Sequence, residues 1–515
     1  VTWQPELDEL EARRRLAREM GGAEKVARHK EQGKLTVRER IDLLLDPGSF
    51  RELGSIAGSA QYDEAGRLIG LVPANAVTGH GMIDERPVAV TGDDFTVRGG
   101  ANDGGLFAKL MIAERMASDL AMPIVRLVDG TGGGGSVKTI ETMGRTYVPA
   151  VPGWEVAVAN LARVPVVGLA LGSVAGLGAA RVAASHYSMM VKGLSQLFTA
   201  GPPVVARIGQ NLSKEELGGS HIHTRNGVVD DEVSSETEAF QRTRRFLSYL
   251  PRSVEELPPR HPATDDPGRS EPSLLEAIPR DPRKVYRIRP IIEALVDRGS
   301  FFEMGRLWGR STVTGLARLD GIAVAFIASD PMHYGGAWTA KSSEKLTRFV
   351  DLAGSFHLPV VHLVDIPGFQ IGLEAEQAAT LRLGVRAMAA IYQASVPWCS
   401  VILRRAFGVA GASHQATGRF NTRFAWPSAE WGSLPIAGGL EAAYRAELDA
   451  APDREARLAE IETRLKALTS PLRSAEAFLI EEIIDPRQTR MHLCEFANLA
   501  YPITKPGASN FGMRP

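Results

Sequence analysis

The chain carries its own pattern twice, and a duplicated pattern restricts the fold to two copies of one architecture. Thr78 to Gly100 (TGHGMIDERPVAVTGDDFTVRGG) aligns with Thr314 to Gly336 (TGLARLDGIAVAFIASDPMHYGG), a shift of 314 − 78 = 236 residues. Pro123 to Gly132 (PIVRLVDGTG) returns as Pro359 to Gly368 (PVVHLVDIPG), which sets Asp129 over Asp365 at the same shift, 365 − 129 = 236. Val164 to Gly178 parallels Val396 to Ala410 at 408 − 176 = 232, and the lead-in DPGSFRELG (Asp46 to Gly54) parallels DRGSFFEMG (Asp297 to Gly305). Loops of unequal length reset the offset between blocks.

In each copy an alternating apolar segment (PVAVTGDDF; IAVAFIASD) precedes a Gly-Gly turn, a helical stretch and a proline-started run that ends in aspartate. The runs IVRLV and VVHLV have the near-continuous apolar character of strands buried on both faces of a parallel sheet. Repetition of strand, Gly-rich turn and helix predicts an α/β fold with crossover connections. At 515 residues each copy can bury its own core. The proline- and charge-rich stretch Pro251 to Arg289 reads as a linker, so the expected domains are residues 1–260 and 261–515. Glu6 to Leu45 and Ala451 to Leu468 read as amphipathic helices, the latter as a solvated surface helix.

Composition removes several classes of function. With 59 Lys plus Arg against 60 Asp plus Glu, the chain has no net field to attract nucleic acid. Two cysteines, Cys399 and Cys494, exclude a disulfide scaffold and a Cys-ligated zinc site and suit a reducing, cytoplasmic setting. The first twenty residues are charged, without the apolar core of a secretory signal. The most apolar stretch, Val164 to Val182, is broken by glycines, serines and Arg181 and falls short of the roughly 20 apolar residues of a membrane span. It reads as a buried strand followed by a small-residue helix.

Each copy has two Gly-rich turns directly after a buried strand: Asp129-GTGGGGS and Ala175-GLGAA, then Asp365-IPGF and Phe407-GVAGA. A chain turning from strand into helix points backbone N–H groups at one spot, which stabilises developing negative charge on an enolate or alkoxide. A phosphate-binding P-loop is excluded because G-x-x-x-x-G-K-[ST] needs glycine where Val137 stands. His221-Ile222-His223, taken as a strand, would face opposite sides and make no metal site. No G-x-S-x-G elbow surrounds Ser136, Ser173 or Ser195. The lack of an acid, base or nucleophile constellation suits chemistry by backbone dipoles and a bound cofactor.

Five strings carry a resemblance: HKEQGKLTVRERIDLLLDPGSF (His29 to Phe50), EELGGSHIHTRNGV (Glu215 to Val228), VDIPGF (Val364 to Phe369), AWPSAE (Ala425 to Glu430) and IIDPRQTR (Ile483 to Arg490). With them the chain resembles the carboxyltransferase (β) subunits of biotin-dependent acyl-CoA carboxylases. The resemblance implies two tandem crotonase-like domains, the first on the acyl-CoA side and the second on the biotin side. It also implies a homohexamer, an acyl-CoA substrate, and biotin arriving on a biotin carboxylase or biotin carboxyl carrier subunit. No Met-Lys-Met biotinylation site and no Cys-rich zinc ribbon occur here, and no metal is expected.

By the same resemblance, CO₂ released from carboxybiotin is captured by a thioester enolate. The enolate is held at Gly176 and Leu177, and the biotin ureido oxygen at Val409 and Ala410. Gly132, Gly133, Ala175 and Gly178 fall on the acyl-CoA side, and Gly408, Gly411 and Ala412 on the biotin side. This sequence departs from the family pattern at Leu177 and Val409, where family members carry glycine, and at Ala412, where an aspartate is frequent. Side chains at 177 and 409 are therefore expected to crowd the turns and to resist a positive φ. Lys34 and Arg38 could steer CoA phosphates or be solvated helix charges. The same enolate also serves a decarboxylase running in reverse. Loss of turnover would leave a CoA-binding assembly subunit, and hydration of an enoyl-CoA lacks the paired carboxylates it would need.

Overall fold

The computed structural model of the chain describes residues 2–100, 106–130, 140–141, 143–146, 148, 150–415 and 419–509, in two units divided between Glu256 and Leu257. The sheet of the first unit runs in chain order: β1 (Arg51–Leu53), β2 (Ala76–Ile83), β3 (Arg86–Asp93), β4 (Ile124–Val128), β5 (Val166–Ala170), β6 (Tyr187–Val191) and β7 (Asp231–Val233). The first three strands are antiparallel neighbours and the rest are parallel. The second unit repeats this order with β8 (Phe302–Met304), β9 (Thr312–Leu319), β10 (Ile322–Ser329), β11 (Val360–Ile366), β12 (Trp398–Phe407), β13 (Asn421–Ala425) and β14 (Glu482–Ile483).

Register follows the duplication. Ala76 pairs with Asp93 and Thr312 with Ser329, so both partners shift by 236 (312 − 76 and 329 − 93). Ala89 pairs with Ile124 as Ala325 pairs with Val360, again by 236. Ile124 pairs with Val166 as Val360 pairs with Trp398, where the shift becomes 398 − 166 = 232. Every residue of β4 and β11 is buried, as parallel strands covered on both faces require. Each buried Val or Leu there contributes about 1.5–3 kcal/mol.

The β2–β3 turn is tied down by Asp46, which accepts the N–H groups of Asp84 and Glu85 at 3.2 and 3.0 Å and receives Arg244 at 2.6 Å. In the second unit Asp297 accepts the N–H groups of Asp320 and Gly321 at 3.1 and 2.9 Å and receives Arg490 at 2.7 Å. Local signals set the helices. A capping box of Thr36 and Glu39 opens Val37–Leu44, and one of Thr339 and Ser342 opens Ala340–Ser355. The amphipathic C-terminal stretch forms Arg454–Lys466, which buries Ile461 in a small cluster with Leu440 and Leu448.

The stretch expected only as a linker is irregular but packed. Leu274, within the 3₁₀ turn Pro272–Leu275, and Tyr286 both join the apolar core of the second unit. Burial of those two side chains anchors a segment whose composition alone favours extended, solvated chain. Among the described residues no helix is long and apolar enough to cross a membrane.

Candidate active site

The two strand-to-helix turns of the resemblance are copies of one structure. In the first unit, Ser173–Ala175 pairs in parallel with Gln196–Phe198, Ala175 opposite Phe198, and Gly176 then turns the chain into the helix Leu177–Ala183. In the second, the end of β12 pairs with Glu430–Gly432, Phe407 opposite Gly432, and the helix Gly408–Ala412 follows. Gly176 has φ 58° with ψ −126°, and Gly408 has φ 60°, positive values that a residue with a β-carbon rarely adopts.

This corrects the expectation for the two replaced glycines. Leu177 and Val409 lie inside the helices with no positive φ to resist, because the retained glycines before them make the turn. Leu177 is half-buried, whereas Val409 is 57% exposed and projects outward. Gly178 and Ala410 are buried, Ala175 and Gly408 half-buried, and Ala412 exposed. At Gly411 a β-carbon would lie 2.5 Å from the Ala406 carbonyl carbon, so no side chain fits. Gly132 and Gly133 lie outside the described residues, as does Val137.

The N–H of Gly176 donates to the Phe198 carbonyl at 3.2 Å and so continues the short parallel ladder. The N–H groups of Leu177 and Gly178, in the first helical turn, have no carbonyl one turn back to bond.

At the C-terminal end of the central strand of each sheet lies a fully buried aspartate. Asp129 is met by Lys34 at 3.1 Å and by Arg40 at 2.9 Å; Arg40 also reaches Glu236 at 2.8 Å and the Leu171 carbonyl at 3.0 Å. Asp365 is met by Arg404 at 2.9 Å, Arg405 at 2.7 Å and the Tyr286 hydroxyl at 3.0 Å. Burial first, and then the Asp365 charge, hold the Tyr286 phenol well above its ordinary range. The backbone of both aspartates is approached in the same way: a β-carbon on Gly100 would sit 2.5 Å from the Asp129 carbonyl oxygen, and one on Gly336 2.4 Å from that of Asp365. Arg405 also donates to the Gly335 carbonyl at 2.7 Å, joining this Gly-Gly turn to Asp365. Across the strands Arg405 stands opposite Glu430, whose carboxyl is pushed up by burial against the pull of Arg405 and Arg404.

Lys34 and Arg38 are both engaged in ion pairs within the first unit. Lys34 is buried on Asp129, and Arg38 is paired with Glu52 at 2.9 Å. His221 and His223 lie on the helix Ser220–Asn226 and not on a strand; His221 is 3.5 Å from Glu215, and His223 Nε2 lies 2.8 Å from the Leu197 carbonyl. Among the described residues no group of three His, Cys, Asp or Glu side chains could hold a metal ion. Sequence reasoning missed Arg404 and Arg405; the signal was two adjacent arginines inside the apolar run VILRRAF.

The carboxyl transferase domain model matches residues 28–507. The chain is 33% identical over 503 residues to the propionyl-CoA carboxylase carboxyltransferase subunit of Haloferax mediterranei, covering 96% of this chain and 95% of that one. It is 29% identical over 477 residues to the methylmalonyl-CoA decarboxylase subunit alpha of Veillonella parvula, covering 91% of each. Its structure matches transcarboxylase 12S, solved as a hexamer assembly with methylmalonyl-coenzyme A and methylmalonic acid bound, at a TM-score of 0.87 and 27% identity over 99% of both chains. The chain belongs to the carboxyl transferase family. It is a carboxyltransferase of the acyl-CoA carboxylase type, with the crotonase-like α/β fold that the resemblance implied.

Proposed function

We propose that this chain transfers a carboxyl group between biotin borne on a separate carboxylase or carrier chain and the α-carbon of an acyl-CoA, within a homohexamer in the cytoplasm. The observation that carries this reading is the pair of duplicated turns, with Gly176 at φ 58° and Gly408 at φ 60°. Each opens a helix whose first N–H groups have no intrahelical acceptor. Carboxylated biotin supplies the CO₂ and, once relieved of it, the base for the α-proton.

The residues of the chain then hold charge in place. With the Gly176 N–H committed to Phe198, Leu177 and Gly178 are the donors to the thioester oxygen. Val409 and Ala410 are the donors to the ureido oxygen. The small, buried Ala410 adds little bulk at the second turn, and the Val409 side chain is exposed. Each donor lowers the barrier by about 3 kcal/mol. Carboxylation and decarboxylation share the same enolate. The likeness to a decarboxylase subunit keeps the reverse direction as a second reading.

The test follows loss of the carboxyl group from a panel of malonyl-type CoA thioesters, including methylmalonyl-CoA, with and without free biotin. Biotin-dependent loss is the expected result, and Leu177→Pro or Val409→Pro, both in first helical turns where proline fits, should depress it. Full activity in both folded variants would overturn the backbone-donor mechanism. Loss that ignores biotin would instead indicate a stand-alone decarboxylase.

A further inference from the structure

The helix that begins at Gly408 (Gly408–Ala412) has five residues, against seven in the helix that follows Gly176 (Leu177–Ala183), so its carbonyls run out of following helical N–H groups early. The next two residues supply what is missing. Ser413 Oγ donates to the Val409 carbonyl at 2.8 Å, the Ser413 N–H donates to the Ala410 carbonyl at 3.1 Å, and His414 Nδ1 lies 2.6 Å from the Gly411 carbonyl. His414 is itself fixed from below. Its carbonyl accepts from Trp398 Nε1 at 2.8 Å and Ser400 Oγ at 2.7 Å, with His362 Nδ1 at 3.1 Å. All five side chains of this assembly are buried.

We infer that Ser413 and His414 are positioning residues that aim the N–H groups of the second turn. The inference rests on the reading of that turn as the biotin-side donor. A peptide unit is planar and trans, so its C=O and the following N–H point in opposite directions. Holding the Val409 carbonyl toward Ser413 therefore aims the Ala410 N–H at the mouth of the helix. Holding the Ala410 and Gly411 carbonyls fixes the last turn of the short helix that carries this N–H. In the first unit the longer helix satisfies the corresponding carbonyls internally, and position 413 − 232 = 181 holds Arg181, which is paired with Asp93 at 2.9 Å. The second turn has replaced helical bonds by two side chains, and a misaimed donor loses most of its effect on a developing charge.

The test uses the full chain with Ser413→Ala, Ser413→Thr and Val409→Pro, and reads amide hydrogen exchange across 405–415, biotin-dependent carboxyl loss from methylmalonyl-CoA, and thermal melting. In Ser413→Ala, exchange at the turn should rise about tenfold and kcat/KM for biotin fall about tenfold. KM for the CoA thioester should stay within about twofold, and Ser413→Thr, which keeps the hydroxyl, should restore both readings. Unchanged exchange and biotin kinetics in Ser413→Ala, with Val409→Pro inactive, would overturn this inference alone. Full activity in Val409→Pro would remove the underlying reading and this inference with it. A uniform drop in every substrate's rate that tracks a lower melting temperature would reduce Ser413 to a structural role.

Discussion

Arg404 stands where Gly172 stands in the first copy, 404 − 172 = 232, and its guanidinium reaches Asp365 at 2.9 Å while Gly172 leaves the same space for Lys34 and Asp129. Two equivalent buried carboxylates are thus neutralised from different directions. Asp365 draws its counter-charges from its neighbouring strand, and Asp129 draws them from the N-terminal segment.

At Gly172 a β-carbon would come within 1.9 Å of Asp129 Oδ1 and 2.4 Å of Lys34 Nζ. Gly172→Ala should therefore destabilise the first unit by about 3 kcal/mol, through overpacking and a displaced ion pair. Chemical denaturation measures this, and an unaltered midpoint would refute the close approach.

Arg40 bridges two buried carboxylates, Asp129 at 2.9 Å and Glu236 at 2.8 Å. Arg40→Met strands Glu236 and weakens the hold on Asp129, at an expected cost of about 3–5 kcal/mol. Arg404→Met should cost less, because Arg405 and Tyr286 still serve Asp365. The ranking of the two variants by denaturant midpoint is the check.

Burial, and then the neighbouring His414, lower the pKa of His362 from the ordinary 6.5 to about 3. The unfolded chain then binds a proton that the folded chain refuses between those values. This contribution to stability is complete above pH 6.5 and is lost as the pH falls toward 3. The slope for this one group approaches about 1.4 kcal/mol per pH unit. His362→Asn should flatten the curve of stability against pH between 4 and 6 by that amount. Parallel curves for the two proteins would count against it.

Gly408 and Val409 should respond in opposite ways. Gly408→Ala forces a β-carbon into φ 60° and should cost about 1–2 kcal/mol and lower turnover by moving the turn. Val409→Gly removes an exposed side chain from a helical position and should change stability by under about 1 kcal/mol. Melting curves and single-turnover rates separate these outcomes.

The repeat made the sheet legible in advance. Matched apolar runs and matched offsets place β4 with β11 and β5 with β12 without any tertiary information, because strand pairing in both copies obeys one register. The retained glycines of both turns were legible for the same reason. Partners distant in the chain were not. Lys34 meets Asp129 95 residues away, and nothing local in GKLT announces that its charge is spent. Commitment of the Gly176 N–H to Phe198 depends on pairing between Ser173–Ala175 and Gln196–Phe198, whose strands have three residues each and no detectable alternation. The helix at His221–His223 was missed because an isolated His-Ile-His triplet has no 3.6-residue signal.

The different neutralisation of the two aspartates also constrains their history. Arginine cannot be installed at 172 while Lys34 fills the space above it, and Lys34 cannot leave while Arg40 alone must answer Asp129 and Glu236. In the first half, a side chain at 172 meets a clash and the loss of Lys34 leaves one cation between two buried carboxylates. The first half therefore behaves as a ratchet: with Lys34 and Arg40 in place, it cannot take up the strand arginine of the second half by a single substitution.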